Sequence, residues 1–272
     1  MFRSFLLLAV LSVLAAPVFA QDSVPAAAAP AAQPLCTDRP TKSNFACTVP
    51  EGTVQLETDV GNWTRADSGG TRVDTILYTS PTLKAGLTGS TDIELSIAPH
   101  ETVRTRTAEG IQTLHGVGDL TIRLKQRLTD PAGQVQIAVL PFVKIPTAKM
   151  GIGDGRTEGG VIVPVNISLP KGFMLTFGPE ADVLADGDGH GHHAQLVGTA
   201  NLGKAVTSRF TLIGEFWVAR NFDPAATMTQ TSADIAATYL LRPTLQVDLG
   251  ANLGLNQATP AAQVYLGVST RF

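Results

Sequence analysis

The side chains of this sequence that are best suited to chemistry are charged groups that recur at every second position of otherwise apolar segments. Successive residues of a β-strand point to opposite faces, so charges of one parity collect on one face of a sheet. The residues predicted to line that face and to form a constriction are Glu57, Asp59, Arg72, Asp74, Glu94, Arg123, Lys125, Arg127, Glu215 and Trp217. The sequence therefore predicts a polar lining with both positive and negative charges on the face opposite the apolar side chains.

Two interpretations of this lining stay open. Opposed charges could set up a transverse field in a water-filled constriction and select among polar solutes. They could instead form cross-strand ion pairs that hold the wall together and partly fill it. The second interpretation is favoured for most pairs, and Glu94 with Arg123 and Lys125 is the best candidate for a constriction. Arg104 and Arg106 are predicted to begin a solvated outer loop.

Sulfur and metal chemistry are each suggested at one place. Cys36 and Cys47 are the only two cysteines, and in an exported chain such a pair most simply forms a disulfide, with metal or redox chemistry as the alternative. Residues 186–193 contain carboxylates and imidazoles, which are suitable metal ligands, but Gly with Asp is also ordinary turn chemistry. No metal or other cofactor is predicted, and the weak candidates are Asp186, Asp188, His190, His192 and His193.

The histidines do not indicate catalysis. His100, His115 and the histidines of residues 186–193 lie in or beside predicted loops, without a neighbouring serine motif. A hydrolase needs a nucleophile, a base and an orienting group within hydrogen-bond reach. The chain is therefore predicted not to be an enzyme, with a lipid-modifying membrane enzyme as a weaker alternative.

The elements that must position the charges are β-strands. From about Thr53 to Phe272 the sequence alternates with period two, and about twelve strands can be counted. Short turns, as at residues 88–90 and 130–133, alternate with longer links at residues 100–116, 146–160, 186–193 and 221–231. This alternation predicts an all-β, transmembrane antiparallel β-barrel of outer-membrane type with both termini in the periplasm. A soluble β-sandwich also alternates, but it gives no reason for the short and long connections.

Composition agrees with a barrel wall that faces lipid. Charged residues make up 16% of the chain, against about 25% in soluble domains. The net charge of -3 gives no reason to expect nucleic acid as a partner. The predicted partners are outer-membrane lipid, a small-molecule solute and the barrel-assembly machinery, which would recognise the terminal Phe272. The chain is predicted to be a monomer.

Four segments are predicted along the chain. Residues 1–20 form an export signal with Arg3, an apolar run and a cleavage site after Ala20. Residues 21–35 form an Ala/Pro-rich flexible linker, residues 36–52 a disulfide-closed periplasmic segment, and residues 53–272 the barrel. The cysteine loop is a candidate insert into the barrel from the periplasmic side. The predicted location is the outer membrane of a Gram-negative bacterium.

Several short motifs are similar to those of one family. They are Cys36-Thr37-Asp38-Arg39-Pro40, residues 47–52, residues 55–59, Gly116-Val117-Gly118-Asp119-Leu120, Leu140-Pro141-Phe142 and residues 250–256. Together they resemble the outer-membrane transporter family of the MetA pathway of phenol degradation, over nearly the whole mature chain. The resemblance implies a barrel with a role in the passage of small, hydrophobic or aromatic compounds. A structural or adhesive barrel with a closed lumen is the alternative.

Overall fold

A computed structural model describes residues 35–272, in which one antiparallel sheet closes on itself because the first strand pairs with the last. The predicted export signal and almost all of the predicted linker lie outside the described residues. The strands are β1 (Val54–Ser68), β2 (Thr71–Thr79), β3 (Thr82–Thr88), β4 (Thr91–Ser96), β5 (His100–Thr107), β6 (Gly110–Gly116), β7 (Leu120–Arg127), β8 (Val135–Ile145), β9 (Glu158–Ile162), β10 (Val165–Leu169), β11 (Phe173–Ala185), β12 (His192–Ala205), β13 (Phe210–Asn221), β14 (Met228–Arg242), β15 (Leu245–Gly254) and β16 (Ala262–Arg271).

These sixteen segments make twelve spanning strands, because four spans are interrupted once each. The interrupted spans are β3 with β2, β4 with β5, β7 with β6, and β10 with β9. Pro81, Pro99 and Pro164 lie at three of the interruptions, where a residue without an amide proton cannot continue the hydrogen-bond ladder. The fourth interruption contains Gly118, which approaches Ala98 closely. The predicted fold class and strand number are confirmed.

The two faces of the wall differ as expected for a membrane barrel. On β16, Val264 and Leu266 are 49% and 50% exposed on the outside, whereas Tyr265 and Ser269 between and beyond them are buried inside. Exposed Leu, Val and Phe side chains continue around the barrel. An apolar band of this extent is the lipid-facing surface of a transmembrane barrel.

Within residues 35–272, no helix is long and apolar enough to cross a membrane.

A β-bulge changes the parity of the first strand. The pairing of β1 with β16 shifts between Asp59 and Gly61, and beyond it Trp63 lies opposite Val264, which faces outward. An extra residue in one strand moves every later side chain to the other face. Arg72 and Asp74 pair with positions of the same outward row, so the structure places them on the outer face and not in the interior as predicted.

The predicted loop at residues 100–116 is a β-hairpin, formed by β5 and β6. Its strands carry polar residues on both faces, as in Thr105, Arg106 and Gln112. A strand that rises beyond the bilayer does not need an apolar face, so hydrophobic alternation could not identify it. Arg104 and Arg106 consequently belong to a strand and not to a loop.

Candidate functional site: a segment bound inside the barrel

Residues 36–50, here called the plug segment, lie inside the barrel and contact its wall on several sides. Cys36, Ala46 and Val49 are buried. Cys36 and Cys47 form a disulfide, which confirms the predicted pairing. The amide nitrogen of Val49 donates to the Asp92 carboxylate over 2.8 Å, and Gln55 donates to the carbonyl of Cys36 over 2.6 Å. The segment is thus bound to the wall through its backbone as well as its side chains.

The first contact of the plug segment is a buried ion cluster around Asp38. Its carboxylate binds the ammonium groups of Lys84 and Lys125, at 2.7 Å for Lys125. Lys84 is also 2.7 Å from Glu57, and Lys125 is 3.1 Å from Glu94. The side chains of Lys84 and Lys125 are 1% and 0% exposed. Buried charges are tolerated only when paired in this way.

Asp38 is held in its ionised form by this cluster. Burial by itself raises the pKa of the Asp38 carboxyl, but the charges and hydrogen bonds of Lys125 and Lys84 outweigh that effect, and the pKa is lowered. The carboxylate also accepts a hydrogen bond from the amide of Phe45, over 2.7 Å. Asp38 therefore joins the fold of the plug segment to the wall.

The second contact is made by Arg39. Its guanidinium is 2.7 Å from Asp59 on β1 and 2.9 Å from Asp248 on β15. It also lies against the backbone of Gly267, where a Cβ atom would overlap it. A planar guanidinium suits two carboxylates at once, and the missing side chain at Gly267 provides the room.

The third contact joins the opposite wall. Lys42 Nζ lies 2.7 Å from Asp234 and 2.9 Å from the Ser232 hydroxyl. The amides of Lys42 and Ser43 donate to the Glu215 carboxylate over 2.8 and 3.0 Å. With Asp38 and Arg39, these contacts tie the segment to strands around much of the barrel.

An apolar patch completes the contacts. Ala46 packs against the buried side chains of Ala138, Leu140 and Ile162, and its amide donates to Asn166 over 2.6 Å. At this patch the wall meets protein and not water.

The structure brings together five of the predicted interior residues in direct contact with the plug segment or its partners. These are Glu57, Asp59, Glu94, Lys125 and Glu215. Arg123 instead donates to Ser96 over 3.0 Å, and Arg127 donates to the carbonyl of Gly89 near one end of the barrel. The Trp217 ring lies 5.2 Å from Lys42 Nζ.

Sequence reasoning missed the partners that the plug segment supplies, Asp38, Arg39 and Lys42. A signal was present, because three charges stand within five residues inside a short segment bounded by cysteines. If the segment were exposed to the periplasm, its three charges would not need to be complementary to the charges of the barrel wall. The apolar patch also left a trace, because β8 is apolar at both parities.

The weak metal candidates separate into two groups. Asp186 accepts a hydrogen bond from His193 Nδ1 over 2.9 Å, and Asp223 on the neighbouring loop lies within 4.8 Å of both. Gly187 donates to Asp223 over 2.9 Å, so these groups brace two loops against each other. Asp188, His190 and His192 lie outside that cluster: Asp188 accepts the His190 amide within the turn, and His192 Nε2 lies 3.3 Å from the carbonyl of Thr157.

Substituting Gly86 with Ala is expected to destabilise the protein. A Cβ atom at Gly86 would overlap the backbone of Pro50, where the plug segment ends and two backbone hydrogen bonds join Gly86 to Gly52 and Thr53. Overpacking of this kind costs about 1–3 kcal/mol. Urea unfolding in detergent should show the loss. Gly214→Ala is the matched control, because nothing lies within 4 Å of its added Cβ; an equal effect of both substitutions would contradict the close contact.

A closed twelve-stranded barrel with an apolar outer belt, a charged interior and the plug segment bound inside is an outer-membrane β-barrel protein. The family described as "Putative MetA-pathway of phenol degradation" matches residues 37–272. The chain belongs to that family.

Solved structures show the same fold. The COG4313 outer membrane channel from Pseudomonas putida F1 is similar with a TM-score of 0.68 and 14% identity, over 86% of this chain and all of that one. The NanC porin is similar with a TM-score of 0.54 and 11% identity, over 79% of this chain and 98% of that one. Among curated protein sequences, none matches this chain.

Proposed function

We propose that this barrel is a passive channel for small molecules across the outer membrane, and that the plug segment narrows its lumen. The observation that carries the proposal is that a separate segment of the chain, and not the side chains of the wall alone, occupies the interior of the barrel. Eight-stranded barrels are filled by their own side chains, whereas 16–18 strands leave an aqueous channel. A twelve-stranded wall leaves room between these limits, and here a segment next to the first strand occupies that room.

A segment of this kind can leave without breaking the wall. The strands pair with one another all the way round, through β1 and β16, independently of residues 36–50. Apart from the apolar patch at Ala46, the wall groups that bind the plug segment are charged or polar, so water could solvate them once the segment has moved. The interior would then be a polar passage.

The wall beside the plug segment suggests which solutes fit. A cavity of about 210 Å³ is lined by Lys42, Trp217, Gln230, Asn252 and Gln263, among others. The indole of Trp217 offers a stacking surface, and the side-chain amides of Gln230, Asn252 and Gln263 offer hydrogen bonds. We therefore propose small aromatic compounds with polar substituents as the solutes, in keeping with the description of the family.

Flux into vesicles tests this function. Benzenesulfonate and cyclohexanesulfonate carry the same permanent charge and differ in aromaticity, and neither crosses lipid readily. Proteoliposomes are expected to take up both faster than protein-free vesicles do, with benzenesulfonate ahead, and Trp217→Leu should reduce the ratio between them. An equal ratio in the variant would contradict the role of the indole.

The ion pairs that fill the interior favour one other function, a structural or adhesive barrel whose lumen stays closed. The two functions predict different behaviour in a planar bilayer. A channel shows discrete conductance steps, at least when the plug segment is displaced. A barrel that shows no conductance and no flux, with and without the plug segment, would be structural.

A further inference from the structure

Beyond the β1 bulge, one part of the outer wall carries arginines in place of apolar residues. The four arginines, here called the basic face, are Arg65 on β1, Arg72 on β2, and Arg104 and Arg106 on β5. The strand register places Asp67, Arg72 and Arg106 in one row across three strands, and Arg65, Asp74 and Arg104 in the next. Residues directly opposite in antiparallel strands share a face.

The basic face lies at the end of the barrel away from the carboxyl terminus. Phe272 pairs beside Val54 at the start of β1, so the end of β1 and its turn to β2 are at the opposite end. With the termini in the periplasm, that end is extracellular. Trp63 lies just below the arginines on the same face, with the Arg65 guanidinium 4.8 Å from its ring. Trp is the residue typical of the membrane interface.

The charges of this face do not balance. Four arginines face two carboxylates, since Arg65 pairs with Asp74 at 3.0 Å and Arg72 with Asp67 at 2.9 Å. Within residues 35–272, no ion pair to Arg104 or Arg106 is found, and both side chains are exposed. Arg72 and Arg106 are direct cross-strand neighbours. Like charges in that position repel each other, so the face is complementary to an anion.

We propose that the basic face binds the phosphate groups of a glycolipid in the outer leaflet. Guanidinium groups bind phosphate oxygens in pairs with good geometry. A phosphate between Arg72 and Arg106 would remove their repulsion. The acyl chains of the same lipid would lie on the apolar wall below Trp63, so a single molecule would satisfy both parts of the surface.

The test compares binding of diphosphorylated lipid A and of the same lipid with its phosphates removed, by native mass spectrometry of the full chain in detergent. Wild-type protein is expected to bind the phosphorylated lipid at least tenfold more tightly. The double substitution Arg104→Ala and Arg106→Ala should abolish the preference. Arg209→Ala with Arg242→Ala is the control, because both arginines are exposed beside turns at the periplasmic end; this pair should keep it.

Several results would overturn the proposal. Equal binding of the two lipids by the wild type would show that phosphate is not recognised. An unchanged preference after the Arg104 and Arg106 substitutions, in protein that still shows the heat-modifiable migration of a folded barrel, would place the binding elsewhere. A wild-type dimer that becomes monomeric in that variant, without any lipid preference, would mean that a second copy covers the face.

Discussion

Deleting residues 36–50 is expected to raise the single-channel conductance several-fold. The plug segment fills the lumen through contacts with Lys84, Asp248 and Glu215, and other wall residues. None of the strand pairs that close the barrel uses these residues of the segment. The wall should therefore fold without it, and water should enter and solvate the exposed charges. Recordings in planar bilayers measure the change.

A second deletion controls for the effect of shortening the chain. Removing residues 22–34, which precede the plug segment, leaves Asp38, Arg39 and Lys42 in place. Conductance should then match that of the full chain. If both deletions raise conductance equally, occupation of the lumen by residues 36–50 does not set the conductance.

Substituting Lys125 with Met is expected to release the plug segment or to destabilise the whole protein strongly. Lys125 is fully buried between Asp38 and Glu94, so its loss leaves the three carboxylates of Asp38, Glu57 and Glu94 with one ammonium, that of Lys84. Removing one partner of a buried ion pair costs about 3–5 kcal/mol. If the plug segment can leave the lumen, this loss of binding free energy favours the barrel with the segment displaced. The same bilayer recordings should show conductance close to that of the 36–50 deletion for a larger fraction of time.

Lys144 provides a matched control for this substitution. It too is a wall lysine paired with carboxylates, those of Asp119, Asp154 and Glu158, but none belongs to the plug segment. Lys144→Met should leave the conductance unchanged. Combining Lys125→Met with the deletion tests the coupling directly: an additional rise in conductance in the combined variant would mean that Lys125 acts on something other than the segment.

Much of the fold could be predicted because a membrane imposes a simple rule on each strand. The outer wall at the level of the acyl chains is apolar, so Val264, Leu266 and their counterparts reveal both the strand and its outward face. The rule fails where its cause is missing. Beyond the bilayer, β5 and β6 carry polar residues on both faces, so hydrophobic alternation does not indicate that they are strands. At Asp59 to Gly61 a single bulge reversed the parity, which misplaced Arg72 and Asp74.

The candidate site was predictable only in part. The inward parity of Glu57, Glu94 and Lys125 follows from the same membrane rule, and the disulfide follows from a lone pair of cysteines in an exported chain. Which charges meet does not follow. Arg39 and Asp248 are 209 positions apart in sequence, and only the closed barrel brings them together. Local patterns contain no information about such pairs.

The position of Arg39 has a consequence for assembly. Its two carboxylate partners belong to β1 and β15, on either side of β16. Before β1 pairs with β16, Asp59 lies on one edge strand and Asp248 on the strand next to the other edge, too far apart for one guanidinium to bridge. Arg39 of the plug segment can therefore bind both carboxylates only after β1 has paired with β16. The Arg39 guanidinium thereby links strands on both sides of the β1–β16 pairing that closes the barrel.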